Sequence, residues 1–429
     1  MTGLWMILIF LVLLFFHVPI MISLGVSSVA YCLLLTDTPI QMIMNVYFTS
    51  LDSFPLIAIP FFVLAGELMM RGGISDKLIS FFRSLLGNIA GALGAITVVT
   101  SMVFAAVAGS GTATVAAIGG ITIPEMLKEK YDRSFACALA ATAGALGPII
   151  PPSVAMILYG VIAQVSIAKL FIGGIVPGIL TAIGLVLLVH FDAKKKGYGL
   201  TSKDVNIEVL PIGKALKESI WAFTVPIIIL GGIYSGTFTP TEAAVIASVV
   251  AMVIGIFVYK EINLKEIIVV LKKTAVTSGT IMLLVSCASA LGRLLTLEKV
   301  PIQLAEMILS ISDNKIIVLL IINFFLLVVG MFMETYAAVI ILAPVLLPTV
   351  VSLGVDPLHF GLIMVFNLTI GLCTPPVGVN LFIASRIGNC SIEKMIKPLT
   401  KTLSILIIVL LLVTYIPQLT TFLPNVLIK

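Results

Sequence analysis

The chain has 429 residues, of which 60% are hydrophobic and only 10% are charged. Soluble proteins carry about 25% charged residues, whereas repeated apolar windows of about 20 residues are typical of transmembrane helices. The composition therefore excludes a soluble protein and indicates an all-α protein that crosses the bilayer many times. The net charge of +5 comes from loop lysines and indicates no nucleic-acid partner, and five cysteines without CxxC spacing indicate neither a disulfide framework nor a metal site.

Apolar runs separated by polar breaks predict ten membrane crossings. The first run begins at Leu4 with no basic segment before it and no small-residue cleavage site after it, so it predicts a retained helix rather than a signal peptide. Two crossings contain a Pro-Pro pair and are predicted to be broken, because proline removes a backbone donor and clashes with the preceding turn. The predicted crossings are 3–17, 19–36, 54–70, 134–170 (broken), 172–191, 219–235, 240–259, 274–296, 358–390 (broken) and 402–423.

Two further apolar stretches, 88–127 and 316–352, are too long for one helix and have polar or glycine-rich centres. Cytoplasmic loops carry an excess of lysine and arginine. If all the basic loops are cytoplasmic, 88–127 begins and ends on one side, which predicts a re-entrant hairpin; the alternative is two full spans with an external turn at "GSGT". The stretch 316–352 then opens to the opposite side, and both termini are periplasmic. The basic loops are 71–83, 128–133, 194–217, 260–273 and 394–401.

The two Pro-Pro pairs, Pro151-Pro152 and Pro375-Pro376, lie 224 residues apart. At the same offset Gly147 matches Gly371, and two further pairs of residues are identical. Each half has five predicted crossings, an odd number, so the second half is inverted relative to the first. Inverted repeats with paired broken helices indicate a secondary transporter whose site lies at the bilayer midplane. The alternative is that the prolines only kink two ordinary helices.

The predicted repeats cover residues 1–217 and 218–429. The first contains scaffold helices within 1–70, a hairpin at about 88–127 and a broken helix at about 134–170. The second contains scaffold helices within 219–259, a hairpin at about 316–352 and a broken helix at about 358–390.

The first hairpin tip, "AVAGSGTATVAA" at 106–117, offers the hydroxyl groups of Ser110, Thr112 and Thr114. Irregular backbone at membrane depth occurs only where protein or a water-filled cavity satisfies it, and its freed carbonyl groups coordinate small cations. A tip that faces a broken helix would complete a cage of oxygen atoms. The alternative is that these small residues only let helices pack closely.

The second tip, "VGMFMETYAAV" at 329–339, contains Glu334, the only charged residue between Lys315 and Asp356. An intramembrane carboxylate indicates a functional site, with a structural ion pair as the alternative. Arg293 in "SALGRLL" is a candidate partner for a substrate carboxylate or for Glu334, or it extends to the membrane interface. Glu67, close to Arg71, is predicted to lie at a solvated helix end.

No enzyme motif is evident. The sequence lacks GxxxxGK[ST], HExxH and GxSxG, which argues against an ATPase and against the corresponding proteases and hydrolases. It also lacks a TVGYG-like potassium filter. A carrier is therefore favoured over an enzyme, and over a channel, which would need a continuous pore.

Three segments, "AGSGTATVAAIG", "LGPIIPPS" and "GLCTPPVGVNLF", carry a family resemblance. The chain resembles the large membrane subunit (M subunit, DctM-like) of tripartite ATP-independent periplasmic (TRAP) transporters over essentially its whole length. The resemblance implies an elevator-type fold like that of the ion transporter superfamily, with a scaffold and a mobile domain that contains both hairpins. It also implies sodium-coupled uptake of an organic acid anion of the sialic acid or C4-dicarboxylate class, with no cofactor besides the coupling sodium ions.

The resemblance implies two protein partners in a bacterial inner membrane. A periplasmic binding protein (the P subunit) would deliver the substrate, and a small four-helix Q subunit would pack on the scaffold. Because the chain starts directly at its first M-type helix, we expect Q to be a separate polypeptide.

Matching positions imply two sodium sites and a substrate site between the tips. The first sodium site would use Gly109, Ser110, Thr112, Pro148, Pro151 and Ser153. The second would use Gly330, Glu334, Thr335, Thr374, Pro375 and Gly378. The substrate would contact Ser110, Thr112, Glu334 and Arg293. Proton coupling through Glu334 is the alternative to sodium coupling, although the hydroxyl groups at the first tip do not titrate and so favour sodium.

Overall fold

The computed structural model describes residues 3–36, 38–87, 89–198, 210–312 and 314–428. Within these ranges the chain contains only helices and their connections. The helices are α1 (Gly3–Phe15), α2 (Ile20–Leu34), α3 (Ile40–Thr49), α4 (Ala58–Arg71, preceded by a 3₁₀ turn at Phe54–Ile57), α5 (Ile74–Leu86), α6 (Ala92–Ala108), α7 (Gly111–Thr114, continued by a π-helical turn at Val115–Gly119), α8 (Gly120–Lys128), α9 (Arg133–Gly144), α10 (Leu146–Ile149), α11 (Val154–Ala163), α12 (Ile167–Lys196), α13 (Ile212–Tyr234), α14 (Pro240–Val253, continued by a π-helical turn at Ile254–Val258), α15 (Leu264–Leu297), α16 (Val300–Ile311), α17 (Lys315–Phe332), α18 (Thr335–Ser352), α19 (Pro357–Gly371), α20 (Val379–Gly388), α21 (Ile392–Tyr415) and α22 (Gln418–Leu427).

Nine helical segments of the described chain are long and apolar enough to cross a membrane. Seven of them overlap predicted crossings, and the other two are the arms of the second predicted hairpin. The predicted crossings 3–17 and 19–36 correspond to helices of only 13 and 15 residues. Helices of that length are about 20 Å long, less than the roughly 30 Å hydrocarbon core, so these two segments do not each form a full-length span.

Several predicted boundaries were wrong for local reasons. The first broken helix ends at Ala163 rather than at 170, because Gln164 adopts a positive φ of 57° and Ser166 caps the next helix. The closing helix α21 begins at Ile392, so it contains the whole of the predicted basic loop 394–401, and it ends before Pro417. Residue 217, the predicted end of the first repeat, lies inside α13, and the adjoining segment 199–209 lies outside the described residues.

The predicted basic loop 71–83 was also wrong, since most of it belongs to the amphipathic helix α5. Ile74, Leu78, Ile79 and Phe82 are buried along one side, at the spacing of one helix face. On the neighbouring turn, Phe81 packs edge-to-face on a phenylalanine of α13, with ring centroids 5.1 Å apart. Interspersed lysine and arginine residues concealed this periodicity in the sequence.

Ion pairs place the described parts of the five basic loops on one side of the molecule. The six pairs found among the described residues join the ends of α4, α5, α8, α12, α13, α15 and α21 to one another or to the turn before α9. Arg133 at the start of α9 also donates to the Gly388 carbonyl at the end of α20, at 2.8 Å. We call this side the basic face. On the opposite face the Tyr159 hydroxyl of α11 donates to the Pro357 carbonyl at 2.6 Å.

Each half of the chain contains one hairpin and one broken helix. The first hairpin, α6 with α7–α8, starts and ends at the basic face, and the second, α17 with α18, starts and ends at the opposite face. Each broken helix packs one half against its own hairpin and the other half against the other repeat: α11 packs on α18, and α20 packs on the first hairpin and α9. This arrangement confirms the predicted fold class of inverted repeats.

Candidate functional site

The first hairpin tip is a sharp turn between α6 and α7. Gly109 ends α6 with φ of 57°, and the Ser110 side chain caps α7 by accepting from the Ala113 N–H at 3.5 Å. The Ser110 and Thr112 hydroxyl groups lie 3.0 Å apart, and Thr114 donates to the Ser110 carbonyl at 2.8 Å. The tip therefore presents two half-buried hydroxyl groups and turns Thr114 back toward its own backbone.

The backbone of the first tip lies directly on the first broken helix. The break falls between Ile149, the last residue of α10, and Ser153, which caps α11; it contains a Pro-Pro bond in the cis form. A Cβ atom added to Gly147 would lie 2.5 Å from the Ser110 carbonyl oxygen, and one added to Gly109 would lie 2.8 Å from the carbonyl oxygen of the second break proline. The structure thus brings the residues of the first predicted sodium site together, including Pro148, Pro151 and Ser153.

The second tip repeats this arrangement. A Cβ atom added to Gly371 would lie 2.3 Å from the Gly330 carbonyl carbon, and the Gly378 N–H donates to the Met331 carbonyl at 3.2 Å. The break between α19 and α20 contains Thr374 and the second Pro-Pro bond, also cis. The residues of the second predicted sodium site are therefore assembled around one junction between a hairpin tip and a broken helix.

The two tips meet at the centre of the molecule. The Tyr336 hydroxyl of the second tip donates to the Gly109 carbonyl of the first, at 3.4 Å. A small cavity of about 10 Å³ lies at this contact and is lined by Ser110, Gly111, Thr112, Pro148, Glu334, Thr335, Tyr336 and Leu372. The Glu334 side chain is exposed, and none of the ion pairs among the described residues includes it. The structure therefore gives no support to a structural ion pair at Glu334.

Two buried oxygen atoms at the junctions have no donor among the described residues. They are the Thr335 hydroxyl, on a residue that is 1% exposed, and Oδ1 of Asn380, on a residue that is fully buried. Sequence reasoning missed Asn380, although it is the only polar residue in "VNLFIA" and follows the second break by two positions. Its Nδ2 donates to the Ala141 carbonyl of α9 at 3.3 Å, so the second broken helix reaches into the first repeat.

The chemistry of these junctions suits a small hard cation. Every candidate ligand is a carbonyl, hydroxyl, amide or carboxylate oxygen, the donor type found at broken helices that coordinate Na⁺. The carboxyl ends of α6, α10, α17 and α19 terminate here, and a helix carboxyl end carries partial negative charge. A cation would also satisfy the orphaned oxygen atoms of Thr335 and Asn380, which are costly to leave unpaired.

A larger cavity of about 250 Å³, which we call the central cavity, extends from the tips toward the basic face. One wall is formed by α4 and α15, and the other by both tips, with Ser110, Thr112, Glu334 and Tyr336 among the lining residues. An ion pair between Glu67 and Lys273, 2.7 Å long, lies in the α4–α15 wall. The prediction that Glu67 is solvated was wrong, since it is only 9% exposed.

The structure does not bring Arg293 to the site. It is exposed and lies 20 residues beyond Lys273 on α15, about 30 Å along the helix axis. It lines neither of the two cavities at the tips.

The chain matches, over residues 7–419, the family model described as the DctM component of the tripartite ATP-independent periplasmic transporter. It belongs to this family. The TRAP large permease is 45% identical over 405 residues to the isethionate TRAP transporter permease protein DctMQ of Oleidesulfovibrio alaskensis. The aligned region covers 94% of this chain and 64% of that relative. The predicted resemblance is thereby confirmed, as is the prediction of a transporter subunit rather than an enzyme.

Two further relatives match over nearly their whole length. The sialic acid TRAP transporter large permease protein SiaM of Vibrio cholerae is 38% identical, with 96% of each chain covered. The C4-dicarboxylate TRAP transporter large permease protein DctM of Pseudomonas aeruginosa is also 38% identical, with 94% of each covered. The crystal structure of the Alcanivorax borkumensis YdaH transporter superposes with a TM-score of 0.64 over 96% of this chain and 97% of its own; at 16% identity it shows a shared fold.

We expect Gly147→Ala and Gly371→Ala to lower the melting temperature of the purified permease. The added methyl group would collide with backbone atoms of the hairpin tip, which cannot rotate away, and overpacking of this kind costs about 1–3 kcal/mol. Gly120→Ala in α8 is the matched control, because its Cβ would meet nothing within 4 Å. A thiol-reactive dye that reports exposure of the buried cysteines measures the transition. Equal melting temperatures for all three variants would contradict the close approach.

Proposed function

We propose that this TRAP large permease couples sodium entry to the uptake of an organic acid anion by elevator-type alternating access. The observation that carries the proposal is the pair of oxygen-lined junctions, one in each inverted repeat, where a hairpin tip meets a broken helix beside a central cavity. The sodium ions would bind at these junctions as co-transported ions. The anion would bind between the tips, next to Ser110, Thr112 and Glu334.

Contacts between the repeats support a single mobile unit. The hairpins and broken helices interlock, since each broken helix packs against parts of both repeats. The central cavity lies between the tips on one side and α4 and α15 on the other, and we assign α4 and α15 to the scaffold, although α4 also packs on α6 and α15 on α18. Movement of the interlocked unit against this scaffold would carry both junctions and the substrate together.

The relatives narrow the substrate to a chemical class. Their names specify isethionate, sialic acid and C4-dicarboxylates, all of which are organic anions with a carboxylate or sulfonate group. We propose the same class for this chain. We also propose that a periplasmic binding protein delivers the anion and that a small Q subunit packs on the scaffold. The basic face would then be cytoplasmic and both termini periplasmic, in a bacterial inner membrane.

Uptake into proteoliposomes tests this function. The permease, reconstituted with its Q subunit, is supplied with labelled isethionate, sialic acid or succinate, each on its own cognate binding protein. We expect one of these anions to accumulate under an inward sodium gradient. We expect no uptake under a proton gradient alone, and none when the binding protein is omitted. Accumulation of none of the three would overturn the proposed substrate class.

Removing the orphaned hydroxyl of Thr335 tests the second sodium junction. Thr335→Val nearly preserves the shape of the side chain and breaks no hydrogen bond among the described residues. We expect sodium to raise the melting temperature of the wild type by stabilising the bound form, and to raise that of the variant much less. Thr369→Val is the control, because that hydroxyl already donates to the Val365 carbonyl at 2.7 Å. An unchanged sodium response in Thr335→Val would count against this ligand.

Glu334 distinguishes sodium coupling from proton coupling. Its carboxylate is exposed and has no ion pair among the described residues, so it is also a suitable proton carrier. For sodium coupling, we expect Glu334→Gln to raise the sodium concentration needed for half-maximal uptake by about tenfold, because a ligand charge is lost. For proton coupling, the same variant would lose proton-driven uptake and keep anion exchange. Measurement of uptake against sodium concentration at two pH values separates the two mechanisms.

A further inference from the structure

The Glu67–Lys273 ion pair lies in the wall of the central cavity, away from both junctions. Glu67 belongs to α4, one turn before Arg71 at the basic face, and Lys273 belongs to α15. Both residues line the cavity that also contains Ser110, Thr112 and Glu334. A solute that passes between the tips and the basic face would contact this ion pair.

The two side chains of the ion pair differ in their exposure to solvent. The Lys273 side chain is 49% exposed, whereas that of Glu67 is 11% exposed. Nζ of Lys273 lies 2.7 Å from Oε1 of Glu67, and an ammonium group has three donors, so two remain available to the cavity. The other oxygen of Glu67, Oε2, is buried without a partner among the described residues. Glu67 is therefore the fixed partner, and Lys273 is the one that reaches another ligand.

The charges of the cavity lining indicate that an anion in the cavity needs the positive charge of Lys273. Three charged residues line the cavity: the carboxylates Glu67 and Glu334 and the ammonium of Lys273. Without Lys273, an organic anion in the cavity would face the two like charges of Glu67 and Glu334 and no compensating cation. Thr277 and Ile281, four and eight residues after Lys273, line the same cavity, so one face of α15 leads from the cation toward the tips.

We propose that Lys273 is a substrate contact at the basic-face end of the cavity, and that Glu67 positions its ammonium group and competes with the anion for it. This inference rests on the proposed function, because it assigns a contact for the transported anion. In the proposed role, the carboxylate or sulfonate group of the anion accepts from the free donors of Lys273 on its way to the basic face. Glu67 keeps that contact weak enough for release.

The competition predicts opposite effects at the two positions. We expect Lys273→Gln to raise the dissociation constant for the anion by roughly tenfold, the scale of a hydrogen bond to a charged group. Glu67→Gln frees the ammonium, so we expect it to lower the dissociation constant and to slow efflux from preloaded proteoliposomes. An ion pair with only a structural role would instead destabilise the protein in both variants and would not tighten binding in either.

The experiment measures equilibrium binding of labelled isethionate, sialic acid and succinate to the purified complex with Q at saturating sodium, together with efflux. Lys401→Gln is a closely matched control: its ion pair with Asp192 is also 2.7 Å long, with side chains 47% and 14% exposed, and it does not line the cavity. Lys273→Arg keeps the cation and should retain near-normal affinity. The reversed pair Glu67→Lys with Lys273→Glu should restore the melting temperature without restoring normal affinity.

The outcomes separate this inference from the proposed function. Equal changes in affinity for Lys273→Gln and Lys401→Gln, or weaker binding in Glu67→Gln, would overturn the role of Lys273 while sodium-driven uptake by the wild type persists. Full recovery of affinity in the reversed pair would show a structural ion pair and would also overturn it. A wild type that binds and transports none of the three anions would overturn the proposed function and this inference together.

Discussion

The fold depends on satisfying broken backbone at membrane depth. Hydrogen-bond groups freed by a Pro-Pro pair have no water in the hydrocarbon layer, so protein must surround them. Each hairpin supplies that protein, and the approach is so close that a side chain at Gly147 or Gly371 would overlap backbone atoms of the facing tip. These two glycines occupy matching positions 224 residues apart in the chain. The same steric requirement in both repeats explains why glycine occurs at both.

Incomplete satisfaction at these junctions is as important as the close packing. Thr335 and Asn380 each bury an oxygen atom without a donor among the described residues, at a cost of about 1–3 kcal/mol each. Because Asn380 extends from the second broken helix into the first repeat, its environment depends on the packing of both halves. In the proposed mechanism a cation removes this cost, so ion binding and the assembly of the mobile unit stabilise one another.

The elements best predicted from the sequence are those in which the chemistry is local. Glycine, proline and a single intramembrane carboxylate mark the tips and breaks, and the structure places them together. The helix α5 was missed because its apolar face is interspersed with charged residues, and α1 and α2 were assigned as spans on hydropathy although they are too short. Glu67 was misjudged for a different reason. Whether a charge near a helix end is buried depends on distant partners, and the partner of Glu67 is 206 residues away in the chain, at Lys273.

The charges around the central cavity suggest a physical basis for coupling in the proposed mechanism. With two carboxylates and one ammonium, the lining carries a net charge of −1 when no ion is bound, counted as +1 for Lys273 and −1 each for Glu67 and Glu334. A carboxylate or sulfonate entering this cavity is therefore opposed until positive charge is added at the junctions. Sodium ions there would supply that charge, and the anion would in turn raise their affinity by the same factor, since such coupling is reciprocal. The charge balance of the lining, which makes the lone positive charge of Lys273 important, thus also makes anion and cation binding interdependent.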